Sequence, residues 1–156
     1  MSWPEEPPRR VLAAIDGSPT SLRAAEAALA IASRDAADIV LLHVLDDERI
    51  TELDALIEGD REVARRRLEE NAERILLPLA ERARERGVAC SVRIQSGDPP
   101  RVIDEVARAL AADVILVGKV GQRGMRTWFL GSVTRRLIES ATVPVVVIPA
   151  VAKAGA

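Results

Sequence analysis

The sequence predicts a doubly wound α/β domain: an open sheet of five parallel strands, order 3-2-1-4-5, with helices on both faces. Three observations lead there. Strand-like aliphatic runs alternate with helix-like segments from one end of the chain to the other, and the last element is a strand. Hydrophobic residues make up 48% of the 156 positions but aromatic ones only 2%, so the interior must be built from Ala, Val, Leu and Ile. That composition suits helices packed on strands buried from both sides. Finally, if the chain enters at mid-sheet and reverses after the third strand, the order follows, and a ligand crevice opens between strands one and four.

The domain spans residues 11–149, between a proline-rich, charged tail at 1–10 ("MSWPEEPPRR") and a short tail at 150–156. "VLAAID" (11–16) is the first strand. The helix over 19–34 follows, with Ser18 as N-cap, Pro19 at its first position and Leu22, Ala25, Leu29 and Ala32 on its inner face. "IVLLHVL" (39–45) is the second strand. After a polar stretch comes a long helix ending at Gly87, its stripe made by Val63, Leu68, Ala72, Ile75, Leu76 and Leu79, with Pro78 expected to kink or divide it. "VACSVRI" (88–94) alternates strictly, which suits an edge strand. "GDPP" opens the next helix, with Asp98 as cap, Pro99 at the first position and Val102, Ile103, Val106 and Leu110 facing inward. "VILVG" (114–118) is the fourth strand, Gly131-Ser132 starts the last helix, and "VPVVVIP" (143–149) is the fifth strand.

Composition removes several function classes. A net charge of -2 gives no argument for nucleic acid or an anionic membrane as partner. One cysteine, Cys90, excludes an internal disulfide and a multi-cysteine zinc site. The longest apolar runs are too short to span a bilayer, and the expected location is the cytoplasm.

Chemistry concentrates after the fourth strand, in "GKVGQRGMRTWFLGS". Gly118, Gly121 and Gly124 allow positive φ and close backbone approach to a ligand. Gly131-Ser132 opens a helix whose first amides lack partners and whose dipole favours an anion. Residues 118–136 hold Lys119, Arg123, Arg126, Arg135 and Arg136 and no Asp or Glu, a sum of +5 within a chain of net -2. The combination points to phosphate. Taken singly, the glycines also suit a plain connection, Ser132 an ordinary cap, and Arg135 and Arg136 a solvated helix face. Trp128, Phe129 and Leu130 are expected to anchor the loop on the core.

The loop is not a Walker A motif, since Val120 follows Lys119 and the upstream glycine is missing; nor does Gly17 alone make a dinucleotide fingerprint. Asp16 ends the first strand, where a carboxylate either meets a ribose or an amino group or caps the following helix. His43 lies within an apolar strand and reads as a satisfied core histidine. One His and one Cys in separate strands give no nucleophile–base pair, and Asp16 and Asp98 form no metal cluster.

Gly118, Gly121, nine residues and then Gly131-Ser132 resemble the G-2x-G-9x-G-[S/T] motif of the universal stress protein family. "VLAAIDGSPTSLRAAEAAL", "IVLLHVL", "SGDPPRVIDEVARALAADVILVG" and "SATVPVVVIP" are similar, in order, to that family's strands and helices. The resemblance implies its ATP-binding branch, with any magnesium arriving with the phosphates. It implies that Asp16 and the backbone at Ala14 and Val44 hold adenine and ribose. Gly118, Gly121, Gly131, Ser132 and Val133 would hold the phosphates, with the Arg123 segment closing over them. Lys119 and Val120 depart from the family pattern: Lys119 either adds charge for a triphosphate or fills the site.

The last strand is aliphatic, uncharged and placed at a sheet edge, a liability that pairing with a second copy removes by two-fold symmetry. A homodimer through Val145, Val146, Val147 and Ile148 is expected, as in the family. The resulting expectation is a cytoplasmic ATP-binding stress-response protein acting as a nucleotide-dependent switch. The alternatives are a slow ATP hydrolase using Asp16 and a dimeric adaptor with a vestigial site.

Overall fold

The computed structural model describes residues 5–57, 59–120 and 130–151. Its elements are β1 (Arg10–Ala14), α1 (Pro19–Asp35), β2 (Asp38–Asp46), α2 (Asp47–Leu56), α3 (Arg61–Glu85), β3 (Cys90–Gly97), α4 (Pro99–Ala109), β4 (Val114–Gly118), α5 (Ser132–Ser140) and β5 (Val145–Ile148). All pairings are parallel, and the order is β3-β2-β1-β4-β5. The predicted topology is the observed one.

Alternation along each strand divides the core into two layers. Val11 and Ala13, Ile39 and Leu41, and Val114 and Leu116 face α1 and α3. Leu12, Val40 and Leu42, and Ile115 and Val117 face α4 and α5. Most of these side chains are at most 4% exposed, so β1, β2 and β4 are covered on both faces and read as unbroken aliphatic runs.

Ser18 caps α1, accepting from the Ser21 amide at 3.3 Å, and Pro19 sits at the first position as expected. The inner face differs by a fraction of a turn: Ala24, Ala25, Ala28, Leu29 and Ala32 are buried, while Leu22 is 38% exposed. The cause is closeness. An alanine face lets α1 lie near the sheet, and the larger Leu22 stays at the rim.

The polar stretch after β2 holds a helix the sequence reading passed over. Asp46 caps α2 through the Glu48 amide at 3.0 Å, and Asp47 and Glu48 lie in the first turn, where acid complements the helix dipole. Its apolar face is thin, and Ile50 joins Leu45, Ala64 and Ala72 in a small separate cluster. α3 runs through Pro78 as one helix and is not divided. Pro78 and Arg74, whose carbonyl loses its partner, are both exposed, so that carbonyl is not sealed in the core. Val63 lies outside the buried stripe, at 37% exposure. Gly87 at φ +69 ends α3: its amide bonds Arg84 O, and the Val88 amide reaches Ala83 O at 2.9 Å, a Schellman stop.

β3 is an edge strand with the expected alternation: Cys90, Val92 and Ile94 are half-buried against the α1/α3 layer, and Ser91 and Arg93 are exposed. β5 forms the other edge, with all four residues half-buried. Among the described residues, no helix is long and apolar enough to cross a membrane.

Candidate functional site

The carboxyl ends of β1, β2 and β4 open into a cavity of about 590 Å³, within the range of small-molecule sites. It lies at the switch point, where β1 pairs with β2 on one side and β4 on the other. Ala14, Asp16, Val44, Gly118, Gly131, Ser132 and Val133, singled out from sequence, all line it. Gly121 and Arg123, like Gly124, Arg126, Trp128 and Phe129, lie outside the described residues. Leu130 does not enter the core. It lines the cavity at 43% exposure.

On the α1 side the chain satisfies itself. Asp16 lies two residues beyond β1, and its Oδ1 accepts from the Ser18 amide at 2.8 Å. Of the two roles weighed for Asp16, this bond is the local backbone one, an Asx turn. The Ser21 hydroxyl donates to Ser18 O at 2.9 Å. The Ser18 and Thr20 hydroxyls donate to Val120 O, pinning the first residues after β4 to the start of α1. Val120 lines the cavity, whereas Lys119 is not part of its wall.

Gly118 has a different reason from the one first assigned. Its φ is not positive. A Cβ there would collide with Thr20 Oγ1 and would lie 2.7 Å from Ser21 N and 2.8 Å from Thr20 C. The position requires glycine because the backbone of α1 passes directly over β4.

On the α5 side no described side chain caps the amides. The N-cap is Gly131, with φ -60 and ψ 152, and no side chain caps the helix. The first bond within α5 is from the Arg135 amide to Gly131 O at 2.9 Å. The Ser132, Val133 and Thr134 amides therefore have no protein partner among the described residues, and the first turn carries no acid. The Thr134 hydroxyl donates to Gly118 O at 2.8 Å, fixing the helix start over the end of β4. The connection between the two is closed at its neck: the Lys119 amide donates to Ile148 O (2.8 Å) and the Gly131 amide to Lys119 O (2.9 Å).

Of the other helix starts, three are closed by side chains and α4 is not. Ser18, Asp46 and Asp60 cap α1, α2 and α3 with their side chains. At α4, Asp98 holds the cap position as predicted but makes no cap bond. Pro99 and Pro100 lack amides, and the carboxylate instead accepts two bonds from Arg136, at 2.8 and 2.9 Å. Arg136 therefore does not simply face water, and its charge is matched.

The described wall is acidic, with Asp16, Asp46 and Glu48 against Arg49. His43 also lines it, half-buried, with Nδ1 2.7 Å from Ile15 O. A carbonyl only accepts, so Nδ1 carries the proton. Desolvation pushes the imidazole pKa below its ordinary value, against the Ile15 bond and Asp16 and with Arg49. His43 is satisfied, as expected, but by the cavity wall. Cys90 lies away from the wall, with its thiol pushed up by burial, so no His–Cys pair forms. Among the described residues, no three His, Cys, Asp or Glu side chains gather as a metal site.

Leu68 and Asn71 of α3, with Glu48 and Arg49 of α2, complete the wall and were not anticipated. A signal existed for α2: "DDE" after an aliphatic strand is a cap followed by first-turn acid.

The universal stress protein family model matches residues 8–149. This chain belongs to the universal stress protein family. Universal stress protein MJ0531 of Methanocaldococcus jannaschii is 33% identical over 140 residues, covering 90% of this chain and 81% of that protein. The solved structure of hypothetical protein MJ0577 superimposes with a TM-score of 0.81 at 24% identity, over 93% of this chain and 98% of that one. A family protein from Arabidopsis thaliana, At3g01520, solved with AMP bound, matches at a TM-score of 0.65 and 23% identity, over 94% and 95% of the two chains.

Proposed function

We propose that this universal stress protein binds ATP in the β1/β2/β4 cavity and acts as a nucleotide-dependent switch. The observation that carries the reading is the start of α5. Its first three amides face the cavity with no partner among the described residues, and a phosphate group supplies acceptors for them. Ser132 and Val133, with Gly118 and Gly131, are the phosphate positions, joined through the family motif by Gly121 and Arg123. Asp16 and the backbone at Ala14 and Val44 take the ribose and base at the far side. AMP in the Arabidopsis relative supports adenine as the base. Magnesium enters with the phosphates, whose charge it offsets beside an acidic wall. The expected location is the cytoplasm, and β5, an apolar edge, pairs two copies. Sedimentation at micromolar concentration reads a dimer if so, and a monomer refutes that pairing.

Gly131→Asp tests the site. At φ -60 any residue fits, and a carboxylate there caps the helix and occupies its amides. Calorimetry should show wild type binding Mg-ATP near ~1 μM, about -8 kcal/mol, and the variant not binding while melting no lower. A wild type silent at millimolar ATP, or a variant that binds equally well, would sink the reading.

A further inference from the structure

Three amides at the start of α5, without a partner among the described residues, can serve one phosphate group, and a longer phosphate chain needs a further partner. The remaining helix starts cannot supply it, being capped by their own side chains or, at α4, opened by two prolines. The described wall adds three carboxylates against Arg49. A further cation, on α5 itself and outside the wall, is Arg136. It follows Ser132 by four residues, one turn along the same face of α5.

Arg136 is already engaged. Its guanidinium makes a two-pronged bond to Asp98, which starts α4 one residue before Pro99, a residue of the cavity wall. The pair thus joins the cap of α4 to the second turn of α5 beside the cavity. Asp98 is not needed by its own helix, since it makes no cap bond. The bridge is also open to solvent, which screens it: the side chains are 54% and 40% exposed. The link to the cavity runs through Asp98, the neighbour of Pro99 in the wall, and Arg136 also feels Glu48 and Asp46, two carboxylates of the wall.

We infer that the Asp98–Arg136 pair selects phosphate-chain length: Arg136 receives a distal phosphate, and Asp98 is the carboxylate that phosphate must displace. A nucleoside monophosphate, held by the α5 amides, leaves the pair intact. A triphosphate competes for Arg136, and Asp98 holds its affinity down. This rests on the nucleotide reading above and adds to it a selectivity device made by this chain's own residues.

The test is calorimetric titration of the full chain with Mg-ATP and with AMP, for wild type, Asp98→Asn, Arg136→Gln and Arg136→Lys, each accompanied by a thermal melt. Asp98→Asn should tighten ATP roughly three- to fivefold and shift AMP less than about twofold, the scale of an exposed charge pair. Arg136→Gln should weaken ATP by a similar factor and spare AMP. Arg136→Lys should fall between, keeping the charge but losing the planar fork. If ATP and AMP shift alike, or neither shifts, the pair is merely structural and the inference is wrong. Should Asp98→Asn fail to fold, the exposed Arg136 variants decide on the same ratio. A wild type that binds neither nucleotide removes the nucleotide reading and this inference together; a wild type that binds both, with unmoved ratios in the variants, removes this inference alone.

Discussion

The starts of α1 and α5 border the same cavity, and the chain has treated them in opposite ways. At α1, Ser18 takes the Ser21 amide, Asp16 takes the Ser18 amide, and two hydroxyls grip Val120 O. At α5, glycine holds the cap position and three amides have no partner among the described residues. Both starts have the same backbone and the same dipole. What separates a structural helix start from a binding one is the side chain at the cap and the acid near it. Gly118 lies between the two, against the backbone of α1 and below the Thr134 hydroxyl.

The largest effect belongs to that contact. Gly118→Ala should destabilise the fold by about 1–3 kcal/mol, read as a lower urea midpoint, because the added methyl meets α1 backbone that cannot turn aside. Any accompanying loss of nucleotide would follow from displaced packing. An unchanged midpoint would show that α1 does not lie as close to β4 as described.

Ser132→Pro separates binding from folding at α5. Proline fits the first helical position and follows an extended Gly131, so stability should hold while one amide donor disappears. ATP affinity should fall about tenfold, the scale of a hydrogen bond to a charged group, with Tm unmoved. Equal affinity would mean the phosphate is not held there. The mirror experiment is Ser18→Ala, which should cost about 1 kcal/mol of stability in urea unfolding. If it costs nothing, α1 is not closed by its cap and the contrast fails.

The smallest effect is the pH response of the wall. The folded His43 pKa is depressed, chiefly by desolvation, so the unfolded chain binds the extra proton first. Stability is then fully present above about pH 6.5, the unfolded value. It falls as pH drops through that value toward the folded one. His43 is the one histidine, so His43→Asn, which retains a donor for Ile15 O, should flatten the slope of Tm between about pH 7 and 5. A slope identical to wild type would place its origin elsewhere.

Topology was legible because strand burial on both faces leaves aliphatic runs that nothing else explains, and because Ser18-Pro19 and Gly87 are local signals with local causes. The positions lining the cavity were legible for the same reason, since they sit at strand ends and helix starts. Other features depended on three dimensions. Gly118 is required by a helix lying about 100 residues earlier in the chain, which no window around it can reveal. Asp98 was placed correctly at its cap, yet its partner is on another helix. α2 was passed over because its one buried residue, Ile50, leaves almost no periodic stripe. Leu22 misled because size suggested burial where closeness selected alanine.

The neck at Lys119 and Gly131 carries a consequence for how such a protein changes over generations. The segment between them leaves and rejoins the domain at hydrogen-bonded neighbours, so its length is not coupled to the spacing of β4 and α5. Closing a longer segment adds only about 0.6 kcal/mol per doubling. Insertions and deletions there can be sampled without threatening the sheet, so lineages sharing this scaffold can change length at that one place while the strand order is kept.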